Sequence, residues 1–208
     1  MKIDRRAWPG GLMGCVAIGF LWFVWREGVW LGFLLLMGHL AFFRDPHRKP
    51  PLGKDAVSPA DGKVVEVTEE FEGRFLKEDA IKIGIFLSVF VPHVNRAPVT
   101  GKIGYLKYEP GKFLNALSQD SVKINEANWI GVEGNEGRAL VKQVSGAIAR
   151  RIHGDVELGQ MVERAGKIGI ICYGSRAECY LPKRLFRIAV APGQKVKAGQ
   201  SILGFYQP

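Results

Sequence analysis

The sequence contains a glycine–serine pair, Gly174-Ser175, directly after an apolar run that predicts a β-strand. A serine hydrolase elbow would have glycine two residues before and after the serine, but Tyr173 and Ala177 occupy those positions. Glycine before serine permits different chemistry, because no side chain shields the Gly174 carbonyl carbon from the neighbouring Ser175 hydroxyl. The pair is therefore a candidate self-cleavage site, although most such pairs in proteins are plain turns.

Two further polar residues stand at the edges of predicted strands. Asp61 lies in Ser58-Pro59-Ala60-Asp61-Gly62, where an aspartate commonly accepts a hydrogen bond from the turn backbone. His93 follows Pro92 after an apolar run, a place typical of a buried loop histidine. Taken singly, neither residue indicates catalysis. The case for function depends on Asp61, His93 and Ser175 together.

The basic character of the chain is confined to two segments. The formal charge is +9, with seven basic and three acidic residues in 1–50, and six basic and one acidic residue in 175–208. Residues 51–174 carry sixteen of each sign and are neutral. This distribution fits an anionic membrane surface, or a substrate with phosphate and carboxylate groups. Basic and aromatic residues do not alternate as in RNA-binding proteins, so no nucleic-acid partner is expected.

The first part of the chain predicts a membrane anchor. Two uncharged stretches, Leu12–Trp25 and Val29–Phe43, flank Arg26-Glu27-Gly28, and each is shorter than the ~20 residues that usually span a bilayer. A helical hairpin places the charged pair at its turn, and basic residues at both ends favour the cytoplasmic side. We therefore expect an anchor and linker over 1–50 and a cytoplasmic catalytic domain over 51–208. A removed signal peptide is the alternative, but the segment is too long and has no clear cleavage site.

The remainder predicts a mainly β fold, a compact sandwich or barrel, with short helices hinted at Leu114–Leu117 and Ala147–Ile152. Two segments, Ser58–Val64 and Ala191–Gly204, have the glycine turns of lipoyl and biotinyl domains and look like halves of one barrel-sandwich motif. The odd count of three cysteines argues against a disulfide framework, and the spacing of Cys172 and Cys179 is poor for zinc, so no metal is expected. The predicted strands are Gly62–Thr68, Ile81–Val91, Gly101–Tyr108, Arg138–Ser145, Ile168–Tyr173 and Leu185–Val190.

Four segments occur in an order that resembles one enzyme family. They are Phe42-Phe43-Arg44-Asp45-Pro46, Ser58–Val64, Pro92–Pro98 and Gly174-Ser175-Arg176. Together they cover nearly the whole chain and resemble the short phosphatidylserine decarboxylases of bacteria and archaea. The resemblance implies a membrane-bound proenzyme that makes phosphatidylethanolamine and carbon dioxide from phosphatidylserine.

By this resemblance, the Gly174–Ser175 bond cleaves itself into a β chain, 1–174, and an associated α chain, 175–208. Ser175 becomes a covalent pyruvoyl group, which forms a Schiff base with the substrate. Asp61 and His93 assist: a weak serine nucleophile needs a base, and a carboxylate commonly orients that base. Arg176 is a candidate contact for the lipid phosphate. Longer relatives have a second histidine where this chain has Arg96, so His93 is expected to serve both cleavage and turnover.

Three alternatives remain open at this point. The motifs report on the serine head group and not on the lipid tails, so a decarboxylase of a related lipid such as archaetidylserine is the strongest alternative among enzymes. The lipoyl-like turns also allow a membrane-tethered carrier or adaptor, although no lysine stands convincingly at a hairpin tip. A pyruvoyl decarboxylase for a soluble amino acid would leave the anchor without a purpose.

Overall fold

A computed structural model describes residues 1–114, 119–135, 137–146, 151–172 and 175–207. Gly174 and Tyr173, on the amino side of the candidate cleavage site, lie outside these residues. Backbone contacts divide the chain into two compact units, 1–47 and 48–208.

The first unit is an antiparallel helical hairpin. Its elements are β1 (Lys2–Ile3), α1 (Ala7–Val24), α2 (Gly28–Phe42) and β2 (Arg44–Asp45). The chain reverses at Trp25–Glu27, because the charged pair Arg26-Glu27 interrupts the apolar sequence there. β1 and β2 pair antiparallel and join the two open ends of the hairpin. The predicted hairpin is therefore confirmed.

Glycine allows the two helices to approach closely. A Cβ atom on Gly14 would lie 3.0 Å from the Leu36 side chain, and one on Gly32 would lie 2.9 Å from Ile18. At the open end, the His39 ring nitrogen Nε2 is 3.0 Å from the Ala7 carbonyl oxygen. Large apolar side chains cover the outer surface instead of polar ones, which is unfavourable in water. By length and composition α1 could cross a membrane, whereas α2 is shorter.

The second unit is mainly β, as predicted. One six-residue helix, α3 (Gln119–Ile124), accompanies the strands that the structure describes there. The strands are β3 (Ala56–Val57), β4 (Gly62–Glu72), β5 (Glu78–Leu87), β6 (Val94–Arg96), β7 (Gly101–Glu109), β8 (Ala127–Gly134), β9 (Gly137–Val144), β10 (Ile152–Gly154), β11 (Met161–Val162), β12 (Lys167–Ile171), β13 (Ser175–Pro182), β14 (Phe186–Ile188), β15 (Lys195–Val196) and β16 (Ile202–Tyr206).

These strands form three antiparallel sheets. The largest is a curled half-barrel with the order β11-β7-β8-β9-β13-β5-β4-β15, in which β13 lies between β9 and β5. Two three-stranded sheets have the orders β10-β12-β6 and β14-β16-β3. Successive side chains of β13 point to opposite faces, as strand geometry requires. Ala177, Cys179 and Leu181 belong to the main apolar core, whereas Tyr180 belongs to a second, smaller cluster.

The two segments with glycine turns lie side by side, as expected for halves of one motif. β15 pairs with the start of β4, and the Val64 amide donates to the Gln194 carbonyl oxygen at 2.8 Å. The Ser58 amide donates to the Ser201 carbonyl oxygen, also at 2.8 Å. The turn that carries Asp61 is thus held by the carboxyl-terminal segment Ala191–Gly204.

Each of the six predicted strands overlaps an observed strand, but four strands of the large sheet, β8, β11, β13 and β15, were not predicted. The strand predicted over Ile81–Val91 ends at Leu87, because the chain turns where the Val91 amide donates to the Ser88 carbonyl oxygen at 3.1 Å. The short helices expected at Leu114–Leu117 and Ala147–Ile152 lie mostly outside the described residues. Ile152 itself begins strand β10, so the helix hinted there is wrong at that residue: backbone pairing with Ile171 takes precedence over local preference.

Candidate active site

Ser175 is the first residue of β13 and is completely buried. It lies opposite Leu87, the last residue of β5. Its hydroxyl oxygen has no hydrogen-bond partner among the described residues. Leaving a buried hydroxyl unpaired costs free energy, so native proteins retain few such groups without a functional reason. Among the described residues, no structural hydrogen bond therefore occupies the hydroxyl of the candidate nucleophile.

The backbone places His93 beside the strand that leads to the cleavage site. β12 pairs with β6, with Ile170 opposite Val94. One step further, the Ile171 amide donates to the His93 carbonyl oxygen at 3.3 Å. Gly174 follows Ile171 by three residues in the sequence. The segment that carries the scissile bond therefore leaves β12 next to His93.

The His93 ring is completely buried, and one of its nitrogens is fixed by its own loop. Nδ1 lies 2.8 Å from the Val91 carbonyl oxygen. Because a carbonyl can only accept, Nδ1 carries a proton, and when the ring is uncharged Nε2 is its basic nitrogen. The Val91 carbonyl thus orients the ring in the way that a carboxylate does in a Ser-His-Asp triad.

A chain of buried amides, which the sequence did not reveal, connects β6 with the large sheet. Asn128 Nδ2 donates to Gln143 Oε1 at 2.9 Å, and Gln143 Nε2 donates to Asn95 Oδ1 at 2.7 Å. Gln143 lies directly opposite Ala177 of β13, so its side chain is on the same sheet face as Ser175. Asn95 is two residues after His93, on the strand that approaches this face. The amide chain therefore holds the His93 strand against the face that carries Ser175.

One sequence signal could have identified Gln143. It is an uncharged polar residue in the predicted strand Arg138–Ser145, at a position where the alternation requires an inward side chain. Such a residue needs a buried partner. The identity of that partner, Asn95, depends on how two separate sheets meet.

Asp61 is buried in the turn before β4 and pairs with Arg48, whose guanidinium nitrogen is 2.7 Å from the carboxylate. Burial raises the pKa of Asp61, and the charges of Arg48 and Arg96 and a hydrogen bond from the Ala198 amide only partly oppose this. The Arg96 amide donates to the Pro59 carbonyl oxygen at 2.9 Å. The turn that carries Asp61 therefore lies against β6, the strand that follows His93. The His93 ring itself donates from Nδ1 to the Val91 carbonyl oxygen.

Arg176 lies on the opposite face of β13 from Ser175, because consecutive strand residues alternate. It is buried between Glu66 and Glu178, and its guanidinium nitrogen lies 2.8 Å from the Glu178 carboxylate oxygen. Burial alone would raise the pKa of Glu66, but hydrogen bonds from Arg176 and Lys82 hold it below its usual value. Gly84 provides room, since a Cβ there would be 2.6 Å from the guanidinium. These contacts indicate a structural role for Arg176 and do not favour the expected contact with the lipid phosphate.

The face that carries Arg176 also borders a cavity of about 330 Å³. Its polar walls are formed largely by ion pairs, and Lys142 lies 4.8 Å from the centre of the Trp129 ring. Burial lowers the pKa of Lys142. Among the residues that the structure describes, no group of three or more His, Cys, Asp or Glu side chains is arranged to hold a metal ion.

The chain is similar to known proteins over most of its length. The family model for phosphatidylserine decarboxylase matches residues 39–204. The chain is 44% identical to the phosphatidylserine decarboxylase proenzyme of Carboxydothermus hydrogenoformans, with 84% of each chain covered. It is 41% identical to the proenzyme of the same name from Syntrophus aciditrophicus, covering 94% of this chain and 92% of the relative. It is 40% identical to the proenzyme of the same name from Symbiobacterium thermophilum, covering 97% of this chain and 94% of the relative. A match of this extent shows that the chain belongs to the phosphatidylserine decarboxylase family.

Proposed function

We propose that this chain is a proenzyme that cleaves its own Gly174–Ser175 bond and then decarboxylates phosphatidylserine to phosphatidylethanolamine. The observation that carries the proposal is the buried Ser175 hydroxyl, unpaired among the described residues, at the beginning of a central strand. The relatives are named as proenzymes of this activity, which supports both a processed precursor and a phospholipid substrate.

Self-cleavage begins with proton transfer from the Ser175 hydroxyl to His93 Nε2. The Ser175 oxygen bonds to the Gly174 carbonyl carbon, the carbon–nitrogen bond breaks as His93 passes its proton to the Ser175 nitrogen, and the amide becomes an ester with a free Ser175 amine. Removal of the Ser175 α-proton then expels the Gly174 carboxylate and leaves an unsaturated residue. Water hydrolyses the imine form of that residue, so ammonia departs and a pyruvoyl group remains. The products are chains 1–174 and 175–208.

The fold suits a reactive group at the new chain end. β13 pairs along its length with β5, and over five residues with β9, so cleavage before Ser175 leaves the strand fixed on both sides. Because both neighbours belong to residues 1–174, the two chains stay associated through a shared sheet. The Ser175 position thereby remains on the face that the His93 strand approaches.

Once formed, the pyruvoyl carbonyl supplies an electron sink for the charge that the departing carboxylate leaves on the substrate. His93 holds the proton that returns to the substrate carbon after carbon dioxide has left. A ring with Nδ1 donating to Val91 uses Nε2 for both proton transfers. One histidine can therefore serve both self-cleavage and decarboxylation. This is consistent with Arg96 in place of the second histidine of longer relatives.

Asp61 assists cleavage from the turn that abuts β6. Pro59 of this turn accepts hydrogen bonds from the Arg96 amide and, at 3.3 Å, from the Asn95 side chain. The Asp61–Arg48 pair holds the turn in place, and so holds the strand that follows His93. The carboxylate acts on His93 through the backbone.

We further propose that the helical hairpin attaches the enzyme to the cytoplasmic side of the cell membrane. The outward apolar side chains of α1 and α2 support an apolar surrounding. Basic residues before α1 and after α2 favour a cytoplasmic location for both ends of the hairpin.

The test is the intact mass of the purified full-length chain, combined with lipid turnover. We expect two chains that end and begin at residues 174 and 175, the smaller with a pyruvoyl group in place of serine. The cleaved protein should convert phosphatidylserine to phosphatidylethanolamine with release of carbon dioxide. A single intact chain that nevertheless decarboxylates the lipid would contradict the proposed role of Ser175.

A further inference from the structure

Several loops meet at one end of the large sheet, which we call the Ser175 end. β13 begins there, opposite the last residue of β5. β9 also ends there, since Val144 lies opposite Arg176, and β8 begins there, since Ala127 lies opposite Val144. The last residue of β7, Glu109, is opposite Ala127. The loops after β5 and after β7 therefore emerge at the same end as Ser175.

These two loops expose apolar side chains. Phe90 is 84% exposed and lies three residues before His93. Val89, Phe113, Leu114 and Ile124 are also exposed, and with Phe90 they form what we call the apolar rim. Both loops thus expose apolar side chains at the same end of the sheet as Ser175, which is unfavourable in water unless a partner covers them. A concentration of this kind marks an interaction surface.

Hydrogen bonds hold the loop after β7 in place. Asn125 Nδ2 donates to the Leu114 carbonyl oxygen at 2.8 Å and to the Ser145 carbonyl oxygen at 2.9 Å. The Ser145 amide donates to the Glu126 carbonyl oxygen at 3.0 Å. Ser145 directly follows β9, so Phe113 and Leu114 are anchored near the start of β13.

The charge around the rim is positive. Lys112, Lys123 and Arg151 are exposed, and the Arg151 carbonyl oxygen accepts from the Cys172 amide at 3.1 Å, close to the cleavage site in the sequence. Among the side chains that the structure describes in the two loops, the one carboxylate is that of Glu126. It is buried and accepts from the Tyr108 hydroxyl at 2.7 Å. Apolar side chains surrounded by basic ones fit the surface of an anionic bilayer.

We propose that the apolar rim docks on an anionic lipid bilayer and inserts Phe90 among the lipid chains, next to the active site. This inference rests on the proposed function, because it explains how a lipid substrate reaches Ser175. Drawing a two-chain lipid into water exposes every CH₂ group, so a head group is best met at the membrane surface. The hairpin tethers the chain, whereas the rim orients the site toward the lipid.

The first experiment detects contact without depending on catalysis. In the full-length Ser175→Ala chain, the photoreactive residue p-benzoylphenylalanine replaces Phe90 in one variant and Phe71 in a matched control. Phe71 is 66% exposed but lies near the far end of β4, opposite Asp79. After illumination with vesicles of phosphatidylserine and phosphatidylcholine, we expect lipid adducts by mass at position 90 and few at position 71.

Equal lipid labelling at the two positions, or none at position 90, would overturn the docking proposal. Cross-links from position 90 to a second copy of the chain, or to residues 1–47, would show that protein covers the rim. Because this chain cannot make product, these outcomes are independent of the proposed decarboxylation.

The second experiment compares two substrates for the mature full-length enzyme. Phe90→Asp should raise the apparent KM for phosphatidylserine in vesicles by about tenfold, the scale expected for losing much of the burial of one aromatic side chain. Leu114→Asp, farther from His93 in the sequence, should act in the same direction. Turnover of a dispersed short-chain phosphatidylserine and the fraction self-cleaved should stay unchanged. Phe71→Asp should change neither substrate.

Equal losses on both substrates in Phe90→Asp and Leu114→Asp would place the effect in the active site and overturn membrane docking. An unchanged vesicle KM in both variants would overturn it as well. If the unaltered chain decarboxylates neither substrate, the proposed function fails, while the lipid cross-linking result still decides whether the rim docks.

Discussion

The two faces of β13 use buried polar groups in different ways. On one face, Ser175 presents a hydroxyl with no hydrogen-bond partner among the described residues. On the other face, the neighbouring Arg176 is held by two carboxylates, Glu66 and Glu178. Two consecutive residues thus differ: the Ser175 hydroxyl is left available for reaction, whereas the Arg176 guanidinium is committed to structural ion pairs. Adjacency in a sequence motif is therefore a poor guide to shared function when the motif lies on a strand.

The largest effect should come from removing the hydroxyl on the reactive face. Ser175→Ala should abolish cleavage, because alanine has no oxygen to attack the Gly174 carbonyl carbon. The measurement is intact mass after prolonged incubation. Ser145→Ala is a matched control, since Ser145 is also buried at the same end of the sheet, and it should still cleave. Continued cleavage between residues 174 and 175 in Ser175→Ala would implicate a separate protease.

The next largest effect should come from the base that serves the same face. His93→Ala should slow self-cleavage, and the cleaved fraction should decarboxylate poorly, each by about 10²–10⁴-fold, the usual range for general acid–base assistance. Cleaved fraction over time, and carbon dioxide release per titrated pyruvoyl group, measure the two steps. His153→Ala, on the nearby strand β10, should leave both near normal. Normal maturation and turnover in folded His93→Ala would remove His93 from the mechanism.

On the structural face, Arg176→Met should reduce stability. Removing one member of a buried ion pair typically costs about 3–5 kcal/mol, because Glu66 and Glu178 keep buried charge without their partner. The midpoint of denaturant unfolding should fall, while KM for the lipid in the remaining folded enzyme should change little. Arg187→Met, at an exposed position, is the control. A stable Arg176→Met protein with a greatly raised lipid KM would instead restore the contact with the lipid phosphate.

The smallest effect should come from Asp61, which acts on the reactive face from a distance. Asp61→Asn should slow cleavage more than turnover. It should also change the dependence of stability on pH. Because burial raises the pKa of Asp61, the folded state binds the proton more tightly than the unfolded state does, and stability is lost as pH rises through the folded pKa. Asp61→Asn should remove this loss above pH ~4, as measured by unfolding at a series of pH values. An unchanged pH profile would contradict the raised pKa.

Some features were predictable because the evidence for them is local. The hairpin follows from two apolar stretches broken by Arg26-Glu27, since charges are excluded from the middle of an apolar helix. Six of the strands follow from short β-branched runs between glycine and proline. The Gly174-Ser175 pair and the two glycine-turn segments were also visible, because turn residues are specified by their own backbone requirements.

The long strand β13 was not predicted because its polar residues have distant partners. In β13, Arg176 and Glu178 interrupt the apolar pattern and read as solvated positions. They are buried because Glu66, 110 residues away along the chain, completes the ion pairs. No window of sequence contains both members of such a pair.

The sequence by itself determined which residues could react: a serine after a glycine, a histidine after a strand, an aspartate in a turn. Tertiary structure decided how they are oriented. In the folded chain, His93 Nδ1 donates to the Val91 carbonyl oxygen, and Asp61 forms an ion pair with Arg48. The hydrogen bond from Gln143 to Asn95 holds β6 against the Ser175 face. The type of a residue determines which reactions its side chain can take part in, and the sequence states it directly. A hydrogen bond between strands depends on sheet register and on how sheets meet, which only the folded chain establishes.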